Sequence, residues 1–433
     1  MLKGFLSAFR TPDLRRKLLF TLGIIALYRF GVSIPTPGVS YRNVEICATS
    51  TAGANGAFQI LNLFSGGALL QLSIFALGIM PYITASIIVQ LLRVLVPRFE
   101  TLYKEGQEGQ AKLTQYTRYI TVGFAALQSA SYITLARNGV FFPGCTVDII
   151  PDPSWQVLAM MILTMTAGTI FIMWLGERIT ERGVGNGMSL LIFISIAASF
   201  PGAVMTIWRS TDGLRNTVLV LLLVLVVIAA VVFVEQSQRR IPVQYAKRMV
   251  GRRMLGGSST YIPLKINMAG VIPVIFASSL LTLPTVITQF AGDDPSDWVI
   301  WLQNNVADPT SPLNIGLYVL MIVFFAYFYT AITFNPNDVA DNMKKYGGFV
   351  PGIRPGQPTA DYLDYVLSRI TAAGSLYLAI VALVPTIAFV ALGLNANIPF
   401  GGASILILVG VGLDTVKRIQ SQLEQRHYEG FLK

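Results

Sequence analysis

Arginine and lysine supply most of the reactive polarity in this chain, and two stretches gather them tightly. Gln238-Arg239-Arg240, Lys247-Arg248 and Gly251-Arg252-Arg253 form one dense basic run. The other is Phe349-Val350-Pro351-Gly352-Ile353-Arg354-Pro355-Gly356, where proline and glycine set tight turns and place Arg354 at a tip. Such clusters bind phosphate-rich surfaces by releasing counterions, and the guanidinium adds a planar fork of donors. Gln90, Gln128 and Asn267 are uncharged but polar, and they fall in apolar surroundings. There a polar group is expensive unless paired, so these three either bridge helices or mark a functional seam. Isoleucines recur at helical spacing: Ile79 and Ile83, Ile192 and Ile196 lie four apart, Ile272 and Ile275 three apart. Each pair shares one helix face; on spacing alone, that face meets lipid or a neighbouring helix.

Other chemistries lack their residues. The single histidine, His427, lies in the polar tail, and the two cysteines are Cys47 and Cys145. This inventory excludes a Cys/His metal cluster and histidine-based acid–base work at membrane depth. No phosphate-binding Walker A pattern is present, so any energy must come from a partner, and no cofactor is implied. Arg29 is the one clear charge inside an apolar run, with Glu235 and Asp414 near cytoplasmic ends. An ion-coupled secondary transporter usually carries ionisable residues near the midplane, which makes that class the weaker alternative. An intramembrane enzyme would need a buried nucleophile–base pair. Cys47 and Cys145 both fall in outer loops, where an oxidising compartment permits a disulfide. Their spacing demands none, so free thiols are expected.

These residues need an apolar scaffold, and the composition provides one. Of 433 residues, 53% are hydrophobic and 12% charged, with a mean hydropathy of +0.60. Soluble domains carry about 25% charged residues. A span needs about 20 apolar residues to cross a core roughly 30 Å thick. Ten candidates meet or approach that length: 18–34, 71–92, 119–136, 155–175, 188–207, 217–234, 268–290, 315–334, 370–392 and 403–416. The basic start at 1–17 followed by an apolar run resembles a signal peptide, but the run extends to Ile34 and ends at Pro35-Thr36-Pro37-Gly38. It reads as a retained first span. Lys and Arg accumulate on the cytoplasmic side. With the N-terminus inside, inner segments hold 27 of the 32 basic residues. Both termini are therefore expected in the cytoplasm, on an all-α multi-pass protein.

One outer segment breaks this regularity. Two apolar stretches, 58–63 and 71–92, flank Phe64-Ser65-Gly66-Gly67. As one helix this stretch would exceed about 50 Å at 1.5 Å per residue, too long for one crossing. The expectation is a short half-helix at about 57–69 that dips back, a glycine hinge, then a full span. Non-helical backbone at that depth survives only when buried in protein or lining an aqueous cavity.

At these residues the chain resembles the bacterial SecY family. Phe64-Ser65-Gly66-Gly67-Ala68-Leu69 and Ser73-Ile74-Phe75-Ala76-Leu77-Gly78-Ile79-Met80-Pro81-Tyr82-Ile83 are similar to its plug and second span. Trp174-Leu175-Gly176-Glu177, Ile179-Thr180-Glu181-Arg182-Gly183, Gly185-Asn186-Gly187, Asn267-Met268-Ala269-Gly270-Val271-Ile272-Pro273 and Gly352-Ile353-Arg354-Pro355-Gly356 follow in order. The resemblance implies ten transmembrane helices in two pseudo-symmetric five-helix halves, 18–207 and 208–416. A cytoplasmic N-terminus (1–17), cytoplasmic loops at 235–267 and 335–369 and a tail at 417–433 complete the layout. It implies a channel that translocates unfolded secretory polypeptides with signal sequences across the bacterial plasma membrane, releasing membrane segments laterally into lipid. Ile79, Ile83, Ile192, Ile275 and Ile407 would supply the pore ring, and Phe58, Phe64, Ser65, Gly66 and Gly67 the plug. Gln90, Gln128 and Asn267 would border the lateral gate. Arg239, Arg240, Lys247, Arg248, Arg252, Arg253 and Arg354 would dock the ribosome and the SecA motor ATPase. The implied companions are the SecE and SecG subunits. A narrow apolar ring suits a pore because it dewets and ions cannot shed their water there; β-branching stiffens χ1 of isoleucine.

Overall fold

The computed structural model describes residues 11–431, apart from 51–61, 63–64, 138, 140, 142–144, 146, 209–212, 246–247, 251–252, 256–258, 290–295, 308–310 and 392–401. Ten helices of 16 or more residues stand among them, each overlapping one predicted span. In the N-terminal half they are α1 (Pro12–Val32), α3 (Met80–Leu95), α5 (Gln107–Arg137), α6 (Trp155–Arg182) and α7 (Gly187–Trp208). Short helices α2 (Tyr41–Ser50) and α4 (Pro97–Lys104) intervene. The C-terminal half has α8 (Gly213–Gln236), α9 (Ile272–Gln289), α11 (Pro312–Thr333), α13 (Gln357–Ala391) and α14 (Gly402–Phe431), with short α10 (Asp297–Leu302) and α12 (Pro336–Lys345).

The helices begin where local chemistry allows. Pro12 fits the first turn of α1, where a missing N–H costs nothing, and Asp13 meets the positive end of the helix. Ser311 caps α11 by accepting from the Asn314 amide at 3.1 Å, followed by Pro312. Several helices outrun their apolar cores: α5 starts 12 residues before the predicted span at 119, and α14 continues to Phe431. By length and composition alone, five of the described helices can cross a membrane. Others are shorter or more polar; α3 has only 16 residues and turns through 99° into α4 at Val96-Pro97.

Neighbour relations repeat between the halves. In the first, α1 packs on α6, α3 on α5, α5 on α6, and α6 on α7. In the second, α8 packs on α13, α9 on α11, α11 on α13, and α13 on α14. The rule is the same both times: first with fourth, second with third, third with fourth, fourth with fifth. Five spans per half place the second copy upside down, as in inverted-repeat transport proteins. The halves meet through α7 on α8 and α14, and through α3 on α9. One large apolar cluster, running from Ile24 and Tyr28 to Ile405 and Val411, joins both halves.

Three features differ from the sequence expectation. The second span is helical only from Met80, not from 71: residues 65–79 form successive turns, most of them buried. Their backbone groups bond sideways, Ile74 N to Ile34 O at 3.0 Å and Thr36 N to Leu72 O at 3.0 Å. Gly66, Gly67, Leu72 and Gly78 all have positive φ, which no α-helix accepts. Secondly, Cys47 and Cys145 are bridged rather than free, with Cα atoms 5.5 Å apart. Ser40 N to Ile149 O (3.1 Å) and Asn43 Nδ2 to Asp148 O (2.8 Å) lay α2 along the loop before α6 and bring the thiols together. Thirdly, the loop after α8 adds strands to a chain read from its sequence as all-α. It folds as β1 (Gln238–Tyr245), β2 (Arg248–Val250), β3 (Arg253–Leu255) and β4 (Ser259–Lys265). Antiparallel β1 and β4 align Arg239 with Leu264 and Arg240 with Pro263, and β5 (Gly348–Phe349) joins the other edge of β1.

Candidate pore, plug and docking face

The five isoleucines named for the ring occupy a special set of helices. Ile79 closes the turn before α3, Ile83 lies one turn further, with its amide bonded to Ile79 O at 3.1 Å, and Ile192, Ile275 and Ile407 sit on α7, α9 and α14. These four helices, with α8, form the seam between the halves. The four are also matching members of the repeat, the second and fifth spans of each half. All five side chains are at most 8% exposed and belong to the same cluster. The side chains of these five isoleucines are β-branched hydrocarbon and carry no hydrogen-bonding group. Helices in lipid are held by close packing more than by a hydrophobic force, so such a contact can open and reseal.

Against this seam lies the turn-rich segment 65–79. Asn62 organises its start: its carbonyl oxygen accepts from the Gly67 amide (2.9 Å) and the Ser65 hydroxyl (3.0 Å), while its Oδ1 accepts from the Leu70 amide (3.1 Å). Ser65 Oγ in turn accepts from the Leu69 amide at 3.1 Å. Arg29 of α1 donates from Nη1 to Gly66 O at 3.0 Å. The Tyr28 hydroxyl lies 2.7 Å from Ser195 Oγ of α7 and 3.4 Å from Ser65 O. Ser65 and Gly66 thus stand in a buried polar knot with Tyr28, Arg29 and Ser195. Tyr28 and Ser195 carried no marker in the sequence; Arg29 did, as a lone charge in an apolar run. Phe58 and Phe64 lie outside the described residues.

The polar residues named for the gate do not converge. Gln90 Nε2 donates to Ser86 Oγ on its own helix at 3.3 Å. Gln128 Oε1 on α5 is buried with no hydrogen-bond partner among the described residues. Asn267, 4% exposed, donates from Nδ2 to Glu235 Oε1 (2.6 Å) and to Gly270 O (3.0 Å). It ties the end of α8 to the linker entering α9. Burial pushes the Glu235 carboxyl above its ordinary range, and the Asn267 bond with Lys265 and Lys417 pulls the other way.

The two basic loops share one structure. Ile241, Val243 and Leu264 of the sheet pack with Met343, Val350, Leu363 and Val366 in a small core of their own. The alternation of Ile241 and Val243 with exposed neighbours is the sequence signal for this strand. Arg239 and Arg240 are exposed on β1, and the Arg240 guanidinium lies 4.8 Å from the centre of the Tyr261 ring. Arg354 is exposed just after a turn closed by Ile353 N to Val350 O at 3.0 Å. Its carbonyl accepts from the Thr359 hydroxyl at 2.8 Å. Gly352 and Gly356 flank it at φ 84° and 107°, angles at which a side chain is strained. Arg248 and Arg253 belong to the backbone pairing of β2 with β3; Lys247 and Arg252 lie outside the described residues.

Fold and site together define a multi-pass helical membrane protein of two inverted halves, with an apolar seam, a buried non-helical insert and a basic face outside the spans. The sequence profile of the SecY family matches residues 73–416. A Streptomyces coelicolor protein, protein translocase subunit SecY, is 61% identical over 438 residues, covering 100% of both chains. Its namesake from Mycobacterium tuberculosis is 57% identical over 443 residues, again covering 100% of both. Among solved structures, a protein-conducting channel superposes with a TM-score of 0.63 at 17% identity, covering 94% of this chain and 91% of that one. The same figures hold for a SecY whose plug domain stabilises the closed state of the translocation channel and maintains a membrane seal. Sec61 from a canine ribosome–channel complex of the endoplasmic reticulum gives 0.60 at 16% identity. The chain belongs to the SecY family.

Proposed function

We propose that this chain is the protein-conducting subunit of a bacterial Sec translocase. It passes unfolded secretory polypeptides across the plasma membrane and releases membrane segments sideways between α3 and α9. The observation that carries this reading is the convergence of Ile79, Ile83, Ile192, Ile275 and Ile407 on four of the helices through which the halves meet. An apolar constriction there blocks hydrated ions and still yields to an extended chain. The plug is the segment around Ser65–Gly67, lying against the seam in the closed state. Both termini and the β1–β4 sheet face the cytoplasm, in keeping with the basic residues there. SecA or a ribosome docks on Arg239, Arg240 and Arg354, and SecE and SecG complete the complex. The test is transport of a signal-bearing polypeptide into vesicles holding the chain with SecE and SecG, supplied with SecA and ATP. Protease-protected product is expected; no protected product with demonstrably active partners contradicts the reading.

A further inference from the structure

Among the described residues, the hydrogen bonds that hold Ser65 and Gly66 of the plug segment all come from the first half of the molecule. The anchor points are Gly66 O, held by Arg29 Nη1 at 3.0 Å, and Ser65 O, near the Tyr28 hydroxyl at 3.4 Å. Tyr28 has one hydroxyl proton, which its geometry directs to Ser65 O; the 2.7 Å contact then takes its proton from Ser195 Oγ, which also lies 2.9 Å from Leu191 O. Tyr28, Ser195 and Ser65 are each 1% exposed. In such surroundings a hydrogen bond is stronger than in water, and one from a guanidinium is stronger still. Shape reinforces the bonds. Gly66 has φ 69°, and a Cβ there would stand 3.2 Å from Ser195 Cα and 3.2 Å from Arg29 Nη1. The turn is therefore pressed between α1 and α7 at a residue that only glycine fits.

Every one of these partners precedes residue 208. Among the described residues, α9 and α14 contribute no hydrogen bond to the knot, although both contact the first half at the seam. Parting α3 from α9 leaves Arg29–Gly66 and Tyr28–Ser195 intact. We infer that Tyr28 and Arg29 are positioning residues that latch the plug to the N-terminal half, so that lateral opening and plug release are separate steps. This rests on the reading of 65–67 as plug. A membrane segment leaving sideways can then use the seam while the plug stays seated; a chain crossing the membrane must also break the latch. The latch also accounts for the lone intramembrane charge, which supplies a strong donor to a backbone carbonyl of the moving part.

The experiment uses full-length protein in vesicles with Ala68, 0% exposed, replaced by cysteine as a reporter. A membrane-impermeant maleimide is added from the outer face. Tyr28→Phe keeps the ring and its stacking on Phe75 but removes the donor; Arg29→Gln removes the charge; Arg29→Lys keeps a cationic donor. In parallel samples, spin labels on α3 and α9 report the width of the seam. An intact Cys47–Cys145 bridge on a non-reducing gel certifies the outer fold. Expected results are labelling at least about tenfold faster in Tyr28→Phe and Arg29→Gln, closer to the parent in Arg29→Lys, with the α3–α9 distance unchanged. A tenfold change corresponds to about 1.4 kcal/mol. Unchanged labelling in both variants, while deletion of 57–69 raises ion conductance, overturns the latch and spares the plug. Faster labelling accompanied by a wider α3–α9 distance overturns the separation of steps. A plug deletion that leaves conductance unchanged removes the plug reading itself.

Discussion

The membrane seam and the β1–β4 sheet of this protein set opposite chemistries side by side. The seam offers isoleucines that are all within 8% exposure and belong to one apolar cluster, side chains with no hydrogen-bonding group. The sheet offers exposed arginines on a scaffold fixed by seven aligned residue pairs between β1 and β4 and by its own apolar core. A contact that must open should be apolar and undirected; a contact that must capture a partner should be charged, forked and rigidly held. If that division is real, damage to the sheet abolishes driven transport and leaves the membrane tight, whereas damage to the seam leaks and leaves docking intact.

The largest expected effect is Arg354→Glu. Charge reversal on an exposed turn leaves the fold alone but sets like charge against an acidic or phosphate-bearing partner surface. SecA-driven translocation is expected to fall to background, with normal accumulation in the membrane and silent resting conductance. Loss of the protein from the membrane instead identifies Arg354 as structural. Next is Leu264→Ala, which empties a fully buried position opposite Arg239 on the neighbouring strand. Truncating a buried leucine costs about 2–5 kcal/mol. Weaker SecA binding and earlier proteolysis within 238–265 are expected, again without leak; wild-type protection denies that the sheet is a cooperative unit.

The smallest effect concerns Glu235. Its folded pKa is raised, because burial penalises the charged form. Its contribution to stability is therefore present at low pH and lost as pH rises through that raised pKa. Glu235→Gln keeps an oxygen for Asn267 Nδ2 and removes the titration. The variant should melt at least as high as the parent at alkaline pH, with a flatter dependence of melting temperature on pH between the ordinary carboxylate range and neutrality. A large loss of stability would show that the charge is required for the Asn267 contact.

The same division explains what could be read in the sequence. Ten apolar runs are direct consequences of bilayer thickness, and all ten reappear as helices, because in lipid local hydropathy and backbone satisfaction demand the same structure. The isoleucines were legible as helical pairs and through family resemblance, but not their common seam, which depends on which helices become neighbours. The helical start assigned at residue 71 failed because the turns at 65–79 find partners at Ile34 and Thr36, about 40 residues away, which no local pattern reveals. Cys47 and Cys145 are 98 positions apart, and only the docking of α2 brings them together. Asn267 was legible as an expensive polar group; that its partner is Glu235 was not. Tyr28 and Ser195 were invisible for the same reason: a tyrosine and a serine in apolar helices have many ordinary uses until the fold sets them 2.7 Å apart.

Single-channel conductance in planar bilayers tests the central claim most directly, comparing the parent with Ile79→Asn, Ile83→Asn and Ile275→Asn. A polar side chain in the constriction wets it and shifts the closed state toward open. The account predicts frequent ion-conducting events in all three variants and near silence in the parent. Parent-like silence in all three would place the path for the polypeptide away from the seam of α3, α7, α9 and α14.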